Sequence, residues 1–577
     1  MKNLTLLFAI LLVLATPLTA QNFDWINKTA GLNYVDAVAT DNGLAVLVTH
    51  CYAFPDGRTF AGTESINLCL ADATPGSWSS LVYLDVETGQ PLDWVTFSGI
   101  QAGGISKQGD DLLVYGHSDM QPFAADLIFY DTIPAQIATF AVREERPTVI
   151  RFGPDLSVRW AENMTVDVAG YVFSEGMAAG PTTGTYMYYQ TGSNCCNGSD
   201  NQSSSSPYYL EQLDEDGNSV WVKIFNFSNP GGNGSIVQLA ADAEGNLLVL
   251  LKESGGYTID GVVLPSTPFG SGQLLKFSPA GELIWRKLFT APVLPDMEQL
   301  AIGPDDGIYL AGRAADDFAI EDADPGLPIL LPAGGFVLKF TEEGELDHSY
   351  DFDLPDSESM DLAFPGPDTV LLVNDQIRLE PAGGGIEPEG FRVSTYFYRL
   401  DSELNFLDSA LVFRLGLSSE FEDFDIGATR VASLGQGDLY VNRDFQCYSV
   451  FGDTVALETI GGSFGSTTCA TGFAGRLNPA YTSVTTDFVS DVEDELSAAF
   501  AVRVYPNPAA TFLRVDLGRD APPVFELTLF DASLRRVRAL PAYRNQDALP
   551  LTGLPTGTYY LRVTADGRSG MRVVLVR

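Results

Sequence analysis

Histidine, cysteine and basic residues are scarce in this chain of 577 residues. It contains 3 His and 6 Cys, and 33 Lys and Arg stand against 75 Asp and Glu, which gives a formal net charge of −42 at pH 7. So few His and Cys leave few ligands for a zinc site and few parts for a histidine-based triad. The shortage of basic residues argues against nucleic acid as a partner, because binding phosphates needs a basic surface.

Long apolar runs are also absent, apart from a short one at the N-terminus. Lys2 precedes an apolar stretch over residues 4–14, and small residues then lead to Ala20. This pattern is typical of a secretory signal peptide, which we predict over residues 1–20. No later segment approaches the ~20 apolar residues that a membrane-spanning helix needs. We therefore expect an exported protein without a transmembrane segment.

Apolar residues are nevertheless plentiful, and they occur in short runs. Hydrophobic residues make up 45% of the chain and aromatic residues 11%, which is enough for a large core. The runs are rich in Val, Ile, Leu and Tyr, and the chain contains 56 Gly residues. Such a composition is typical of strands joined by turns, so the sequence predicts an all-β protein.

The sign of the charge changes near the C-terminus. Residues 501–577 hold 11 Arg, no Lys and 6 acidic residues, a charge of +5, so the remaining residues carry −47. A stretch rich in Ser, Thr, Asp and Glu precedes the change, and we predict a linker over 480–500. Beyond it, short apolar runs separated by turn residues predict a small Ig-like β-sandwich over 501–577.

Motifs within this C-terminal segment occur in a specific order. Tyr505-Pro506-Asn507-Pro508 comes first, an apolar strand over 525–531 follows, and Leu-Pro-Thr-Gly-Thr-Tyr-Tyr, with Gly557 and Tyr559, precedes the last strand. With these motifs the segment resembles the type A C-terminal sorting domain of the type IX secretion system. The resemblance implies recognition by the type IX secretion machinery, export through the outer membrane, and release or attachment at the cell surface.

A repeat fills the chain between these two ends. A strand, a turn with Gly, Asp or Pro and a second strand recur, and equivalent positions follow one another at steps of 66, 61, 64, 63 and 60 residues: Trp94, Trp160, Trp221, Trp285, His348 and Asp408. In the clearest repeat we predict four strands, at 236–240, 247–252, 273–277 and 283–289. Four-stranded antiparallel units at a fixed period are the signature of a β-propeller. We predict one over 21–479 with seven blades, six or eight being the alternatives.

The seventh repeat lacks a fourth strand. Three strands are predicted in it, at 429–434, 439–443 and 472–477, and none follows before the linker. A lone strand that contains Trp25 begins the exported chain, 69 residues before Trp94. We predict that this N-terminal strand completes the last blade and closes the ring.

Long connections join the second and third strands of each repeat, whereas the other hairpins are short. They run over 51–79, 118–146, 192–206, 254–272, 313–335, 375–394 and 445–470. All of them would emerge at one end of the blades, where a rigid scaffold displays binding loops. We therefore predict a binding face there. The alternative is that these connections cap the edges of the blades.

All six cysteines fall in three of these connections: Cys51, Cys69, Cys195, Cys196, Cys447 and Cys469. The first two bracket the connection of the first repeat, and the last two bracket that of the seventh. In an exported protein both pairs predict disulfides that staple these loops. The adjacent pair in the third connection either forms a bridge of its own or pairs with other chains.

Other site chemistry is sparse in the sequence. No catalytic residue and no cofactor is predicted. The acidic stretches over 316–324 and 420–425 are candidates for calcium binding through carboxylate oxygens, the alternative being solvated surface.

These patterns together predict a secreted or surface-attached propeller that binds a polysaccharide or a surface protein through its loop-rich face, without catalysis. One alternative is an extracellular polysaccharide hydrolase or lyase, which needs two carboxyl groups about 5–10 Å apart. Another is a structural component of the cell surface. A fold alone does not choose among these functions.

Overall fold

The computed structural model of the protein contains β-strands and no helix in the residues that it describes, which confirms the all-β prediction. The described residues are 23–30, 32–50, 59–61, 65–67, 78–118, 126–130, 136–141, 146–164, 171–180, 184–192, 207–227, 234–264, 271–322, 328–352, 357–381, 388–418, 429–435, 438–444, 449–451, 456–457, 470–477, 503–505, 509, 511–517, 522, 524–530, 536–545, 547–555, 557–565 and 568–576. Within these ranges no helix is long and apolar enough to cross a membrane. The chain divides into two compact units, Met1–Val484 and Thr485–Arg577.

The first unit is built from 38 described strands. In chain order they are β1 (Phe23–Ala30), β2 (Leu32–Thr40), β3 (Gly43–His50), β4 (Thr59–Ala61), β5 (Ser65–Asn67), β6 (Trp78–Leu84), β7 (Pro91–Ser98), β8 (Ile100–Gln108), β9 (Asp111–Ser118), β10 (Asp126–Tyr130), β11 (Gln136–Ala141), β12 (Pro147–Phe152), β13 (Val158–Asn163), β14 (Tyr171–Ala179), β15 (Thr185–Gly192), β16 (Tyr208–Leu213), β17 (Ser219–Phe227), β18 (Ser235–Ala241), β19 (Leu247–Glu253), β20 (Tyr257–Ile259), β21 (Val262–Leu264), β22 (Ser271–Phe277), β23 (Leu283–Thr290), β24 (Asp296–Ile302), β25 (Ile308–Ala314), β26 (Phe318–Asp322), β27 (Ile329–Leu331), β28 (Gly334–Phe340), β29 (Leu346–Phe352), β30 (Ser357–Gly366), β31 (Thr369–Pro381), β32 (Pro388–Asp401), β33 (Phe406–Ser418), β34 (Arg430–Gly435), β35 (Asp438–Asp444), β36 (Ser449–Phe451), β37 (Ala456–Leu457) and β38 (Ala470–Leu477).

These strands form seven antiparallel sheets, and each sheet contains a four-stranded meander. We number the sheets by the chain order of their first strands, and the four strands of each meander are β2-β3-β6-β7 in sheet 1, β8-β9-β12-β13 in sheet 2, β14-β15-β16-β17 in sheet 3, β18-β19-β22-β23 in sheet 4, β24-β25-β28-β29 in sheet 5, β30-β31-β32-β33 in sheet 6 and β34-β35-β38-β1 in sheet 7. The four strands predicted in the clearest repeat are those of sheet 4, confirmed to within two residues at every end.

The strands in the middle of a sheet are buried on both faces. Every residue of β16 and of β22 is buried, although side chains alternate between the two faces of a strand. One core cluster explains this burial, because it joins residues of sheet 3, such as Tyr208 and Phe225, to residues of sheet 4, such as Leu247 and Leu251. Sheets packed face to face therefore account for strands that are apolar throughout.

Each first strand also contacts the first strand of another sheet. The contacting pairs are β2 with β8, β8 with β14, β14 with β18, β18 with β24, β24 with β30, β30 with β34, and β34 with β2. Neighbouring sheets in the chain are therefore neighbours in space, and sheet 7 lies beside sheet 1.

The N-terminal strand pairs with the last strand of the first unit, as predicted. Strand β1 runs antiparallel to β38, and Phe23 lies opposite Leu477. Sheet 7 thus takes three strands from one end of the unit and its fourth from the other. This pairing joins residues 440 to 454 positions apart in the chain.

The hairpin turns between the third and fourth strands of sheets 2 to 6 repeat one geometry. In the turn of sheet 3 the Gly217 amide donates to Asp214 O at 3.1 Å, and the Asp214 amide donates to Asn218 O at 2.9 Å. The φ angle of Gly217 is +85°, a left-handed conformation that glycine adopts without strain. This is a type I turn followed by a glycine bulge, which the Asp-Gly pattern predicts.

Cations on the third strands of sheets 2, 4, 5 and 7 connect these sheets to the next ones. Lys276 Nζ lies 2.9 Å from Asp242 Oδ2 in its own sheet and donates to Glu342 O of sheet 5 at 3.2 Å. The same double contact recurs between other neighbours: Arg151 with Asp111 and Glu215 O, Lys339 with Asp305 and Ser402 O, and Arg476 with Asp438 and Val86 O. The last of these joins sheet 7 to sheet 1.

Tryptophans of the fourth strands add a second contact of the same kind. The indole Nε1 atoms of Trp160, Trp221 and Trp285 donate to carbonyl oxygens in the hairpin turn of the following sheet, at 2.8, 3.1 and 3.0 Å. The recurring aromatic residue in the sequence is therefore a contact between sheets.

The long connections differ from the prediction in the residues that the structure describes. Five of them contain a short hairpin, and each hairpin pairs with a strand at the edge of the preceding sheet: β4-β5 with β1, β10-β11 with β7, β20-β21 with β17, β26-β27 with β23, and β36-β37 with β33. The connection predicted over 375–394 is largely replaced by the long strands β31 and β32. Capping of the sheet edges, the alternative interpretation, is correct for these described segments, because an unpaired edge strand is costly.

The second unit contains two antiparallel sheets. Its strands are β39 (Arg503–Tyr505), β40 (Phe512–Asp516), β41 (Val524–Phe530), β42 (Arg536–Arg544), β43 (Leu549–Pro550), β44 (Gly557–Ala565) and β45 (Arg568–Val576). The sheet orders are β39-β40-β43 and β42-β41-β44-β45. One apolar core takes Leu513 and Val515 from the first sheet and Leu527 and Leu561 from the second. Strands β42 and β43 were not predicted from the sequence.

Replacing Lys276 with methionine tests the contact between neighbouring sheets. Lys276 and Asp242 have side chains only 2% and 4% exposed, so Lys276→Met leaves a buried carboxylate without its cation. We expect the free energy of unfolding to fall by about 3–5 kcal/mol. Urea denaturation followed by tryptophan fluorescence measures this change.

Lys223→Met is the matched control. Lys223 pairs with Asp260 at 3.4 Å, but the Asp260 side chain is 45% exposed, so this substitution should cost less than about 1 kcal/mol. Equal losses for the two variants would contradict a special role of the buried pair.

Candidate functional site

A cavity of about 330 Å³ lies where the first strands of all seven sheets meet. Its lining takes residues from β2, β8, β14, β18, β24, β30 and β34, and from the second strands β9, β15 and β35. We call it the central cavity. Four charged side chains line it: Asp36, Glu298, Asp361 and Arg430.

One register position recurs on every first strand at this cavity. In each sheet, one residue of the first strand pairs with the equivalent position of the second strand, and we call this residue the recurring position. From sheet 1 to sheet 7 it is Asp36, Gly104, Gly176, Gln238, Gln299, Asp361 and Arg430. On five strands a bulge precedes this position, and the bulged residues are Val35, Gly103, Glu175, Val237 and Glu298. A bulge bends a strand and redirects its side chains, here on strands that line the cavity.

Polar side chains at the recurring position bind the backbone of the next sheet. Asp36 Oδ2 accepts from Ile105 N at 3.3 Å, Gln238 Oε1 from Leu300 N at 2.7 Å, and Asp361 Oδ2 from Val431 N at 2.9 Å. Each donor directly follows the recurring position on its own strand. First strands are sheet edges, so these side chains satisfy amides that no strand pairs.

Where the recurring position is glycine, the ring of a tyrosine on the second strand packs over it and lines the cavity. A Cβ atom on Gly104 would lie 2.5 Å from the ring of Tyr115, and one on Gly176 would lie 2.5 Å from the ring of Tyr188. Both rings line the central cavity, and Tyr188 donates from its hydroxyl to Val237 O at 3.0 Å. The glycines therefore make room for an aromatic wall on sheets 2 and 3.

Burial raises the pKa of the carboxyl groups at the cavity. It raises the pKa of Glu298 to about 7 and that of Asp361 to about 6, and it also raises the pKa of Asp36. The charge of Arg430 acts in the opposite direction on the pKa of both aspartates. Near neutral pH the cavity thus holds a carboxyl group that is partly protonated.

Two amides at the cavity keep hydrogen-bonding capacity. Asn442 is 2% exposed, and its side chain has no hydrogen-bond partner among the residues that the structure describes. Gln299 is 8% exposed and its Oε1 accepts from Gln238 Nε2 at 3.2 Å, whereas its own Nε2 has no acceptor in the described part of the chain. Buried amides normally form hydrogen bonds, so both groups are available to a ligand.

One described cluster of acidic residues outside the cavity already contains a cation. Asp242, Glu244 and Glu342 lie close enough to share a metal ion, but Lys276 Nζ lies 2.9 Å from Asp242 and 3.6 Å from Glu342 and supplies a positive charge there. In the stretch over 316–324 that was proposed for calcium, Glu321 accepts from Thr290 Oγ1. The stretch over 420–425 lies outside the described residues.

The structure describes only some of the site residues that were predicted from the sequence. All six cysteines lie outside the described residues, as do Pro506, Asn507 and Pro508. Tyr505 is 40% exposed on β39 opposite Arg514, and Tyr559 is buried on β44 and donates from its hydroxyl to Pro555 O at 2.9 Å. Gly557 begins β44 opposite Val576.

The central cavity itself was missed by the sequence analysis. Its residues come from ten strands spread over about 400 positions, and the polar residues and glycines among them are scattered through apolar runs. The one available signal was the polar or glycine residue that recurs in the first strand of each repeat, and it becomes visible only once the registers are known.

Comparisons with whole proteins and with solved structures do not identify a relative of the whole chain. A search of curated proteins finds no match. Among solved structures, the phage phi92 endosialidase is 10% identical at a TM-score of 0.31, covering 96% of this chain and 88% of that chain. Rhamnogalacturonan lyase YesW is 11% identical at a TM-score of 0.24, covering 96% and 91%. Likenesses at such TM-scores carry no argument about this protein.

The family model described as the secretion system C-terminal sorting domain matches residues 503–577. This match covers the whole described second unit, from β39 to β45, and contains Tyr505, Gly557 and Tyr559. Residues 503–577 therefore belong to the type IX secretion system C-terminal sorting domain family, and the protein is secreted or attached to the outer cell surface.

Proposed function

We propose that the first unit is a seven-bladed β-propeller that binds a glycan in its central cavity without catalysis. The seven four-stranded sheets, the cycle of contacts between their first strands and the pairing of β1 with β38 support the propeller. The sorting domain delivers this unit to the cell exterior, where glycans of other cells and of the environment are available.

The central cavity is the observation that carries this proposal. Ligand sites are concave and present a few convergent polar groups, and this cavity takes such groups from every sheet. The long connections, which favoured a loop-rich binding face in the sequence, contribute edge hairpins in their described parts. The cavity therefore replaces that face as the ligand site.

The finer organisation of the chain belongs to the same proposal. We assign residues 1–20 to a signal peptide, 21–479 to the propeller, 480–500 to a linker and 501–577 to an Ig-like sorting domain recognised by the type IX secretion machinery. Two disulfides, Cys51–Cys69 and Cys447–Cys469, would staple the long connections of the first and seventh blades. No cofactor is part of the proposal.

Val237→Phe tests whether the cavity is the ligand site. Val237 lies at a bulged position of the lining and also packs against the apolar core of sheets 4 and 5, so a phenylalanine there adds volume beside the cavity without adding charge. We expect glycan affinity to fall at least about tenfold, and the urea midpoint shows whether the variant remains folded. Binding of the secreted protein to a broad glycan array, followed by titration calorimetry on the glycans found, measures this effect.

Val263→Phe, the same substitution outside the cavity, is the control. Val263 lies on the edge hairpin β20-β21 and is 74% exposed. Its substitution should leave affinity unchanged. If Val263→Phe weakens binding and Val237→Phe does not, the ligand lies on the edge hairpins; a blank array would favour a protein partner instead.

Catalysis is the second candidate, and one observation favours it. A general acid must hold its proton near the working pH, and burial raises the pKa of Glu298 to about 7. Glycoside cleavage needs such an acid together with a second carboxylate, which Asp361 would supply in the same cavity.

Glu298→Gln separates catalysis from binding. If the protein cleaves glycans, the rate falls as pH rises through about 7, where Glu298 loses its proton, and Glu298→Gln lowers the rate by about 10²–10⁴-fold. Reducing-end release during prolonged incubation is the assay. We expect no turnover for either protein, and turnover that Glu298→Gln abolishes would replace the binding proposal.

A further inference from the structure

We propose that the central cavity accepts a single neutral, hydroxyl-rich sugar ring at the end of a glycan and rejects sugars that carry a carboxylate or sulfate. This inference rests on the proposed role of the cavity as a glycan site and specifies the chemistry of the unit that enters it.

The size of the cavity limits the ligand to one end group. Its volume of about 330 Å³ lies at the lower limit of the roughly 300–1,000 Å³ typical of ligand sites. Strands from all seven sheets line it. A terminal ring therefore fits this space better than an internal stretch of a polysaccharide.

The hydrogen-bonding groups that remain available are amides. Asn442 offers an acceptor and a donor, Gln299 Nε2 offers a further donor, and both residues are more than nine-tenths buried. A sugar hydroxyl both donates and accepts hydrogen bonds, so it can pair with the NH2 group or with the carbonyl oxygen of an amide. Asp36 and Gln238 already use side-chain oxygens on the backbone of the next sheet.

The opposite side of the lining is aromatic. The Tyr115 ring packs on Gly103 and Gly104, since a Cβ atom at these positions would lie 2.7 and 2.5 Å from it, and the Tyr188 ring packs on Gly176 in the same way. Sugar rings have an apolar face of C–H groups that packs against aromatic rings. A ring held between the tyrosines and the amides would have both its apolar and its polar surfaces matched.

The charges at the cavity exclude anions. Three carboxyl groups, on Asp36, Glu298 and Asp361, line the cavity together with one guanidinium group, on Arg430. A second guanidinium group, on Arg313 outside the lining, lies 3.3 Å from Glu298 Oε1. Above about pH 7, where Glu298 and Asp361 are ionised, an additional carboxylate would meet like charges, which is unfavourable. Neutral hydroxyl groups avoid this repulsion and can still donate to the carboxylates.

The test compares two sets of oligosaccharides of equal length with the full-length secreted protein. One set ends in neutral hexoses and the other in hexuronic acids, and titration calorimetry measures affinity for each. We expect the neutral set to bind at least about tenfold more tightly.

Asn442→Asp and Gln299→Glu are the cavity variants, because each keeps the shape of the side chain and replaces an amide with a carboxylate. Both should weaken binding of the neutral sugar about tenfold, the effect of losing a buried hydrogen bond and adding a charge. Asn42→Asp makes the same change at an exposed turn, where Asn42 Nδ2 donates to Pro154 O, and should leave affinity unchanged. Thermal unfolding of each variant shows whether it is folded. If Asn442→Asp does not fold, Gln299→Glu alone provides the test of the cavity.

The outcomes separate the two proposals. Preference for the neutral set, lost in the cavity variants only, supports both. Tight binding of the hexuronic acid set that the cavity variants alter overturns the sugar class and keeps the cavity as the site. Glycan binding that is unaffected by both cavity variants, or no glycan binding at all, overturns the sugar class together with the proposed function.

Discussion

The contact between a third-strand cation and the hairpin turn of the next sheet is the constraint on which the first unit depends. Lys276, Lys339, Arg151 and Arg476 each neutralise an aspartate of their own sheet and donate to a carbonyl of the following one. A buried cation with both partners in place is tolerated, and one without them is strongly destabilising. The contact therefore fixes how four of the seven sheets sit on their neighbours, including sheet 7 on sheet 1.

Contacts between neighbouring sheets also form at the first strands, which line the central cavity. A first strand is an edge, and its free amides must find acceptors. Asp36, Gln238 and Asp361 supply them across the boundary between sheets, and Tyr115 and Tyr188 fill the space that glycines leave. The polar character of the central cavity is thus in part a consequence of closing the edges. Among the described polar groups of the lining, Asn442, Gln299 Nε2 and Arg430 then remain to distinguish one ligand from another, beside Glu298, which pairs with Arg313 at 3.3 Å.

Sequence reasoning found the elements that recur and missed those that depend on register. The period of 60–66 residues, the turns and the lone strand at Trp25 predicted seven sheets and the pairing of β1 with β38, because hydrophobic runs and glycine turns are local signals. The edge hairpins were read as loops, since three-residue strands such as β20 and β21 are too short to show a period. The cavity was invisible because its residues meet only when seven registers are combined.

The position of the closing strand has a consequence for the maturation of the protein. Strand β38 ends at Leu477 and its partner β1 begins at Phe23, so the pairing that fastens the first unit lies upstream of the proposed linker over 480–500. A protease that cuts within that linker would leave every described strand pair of the first unit intact. The segment that directs export can therefore be removed after delivery without opening the unit that it delivered.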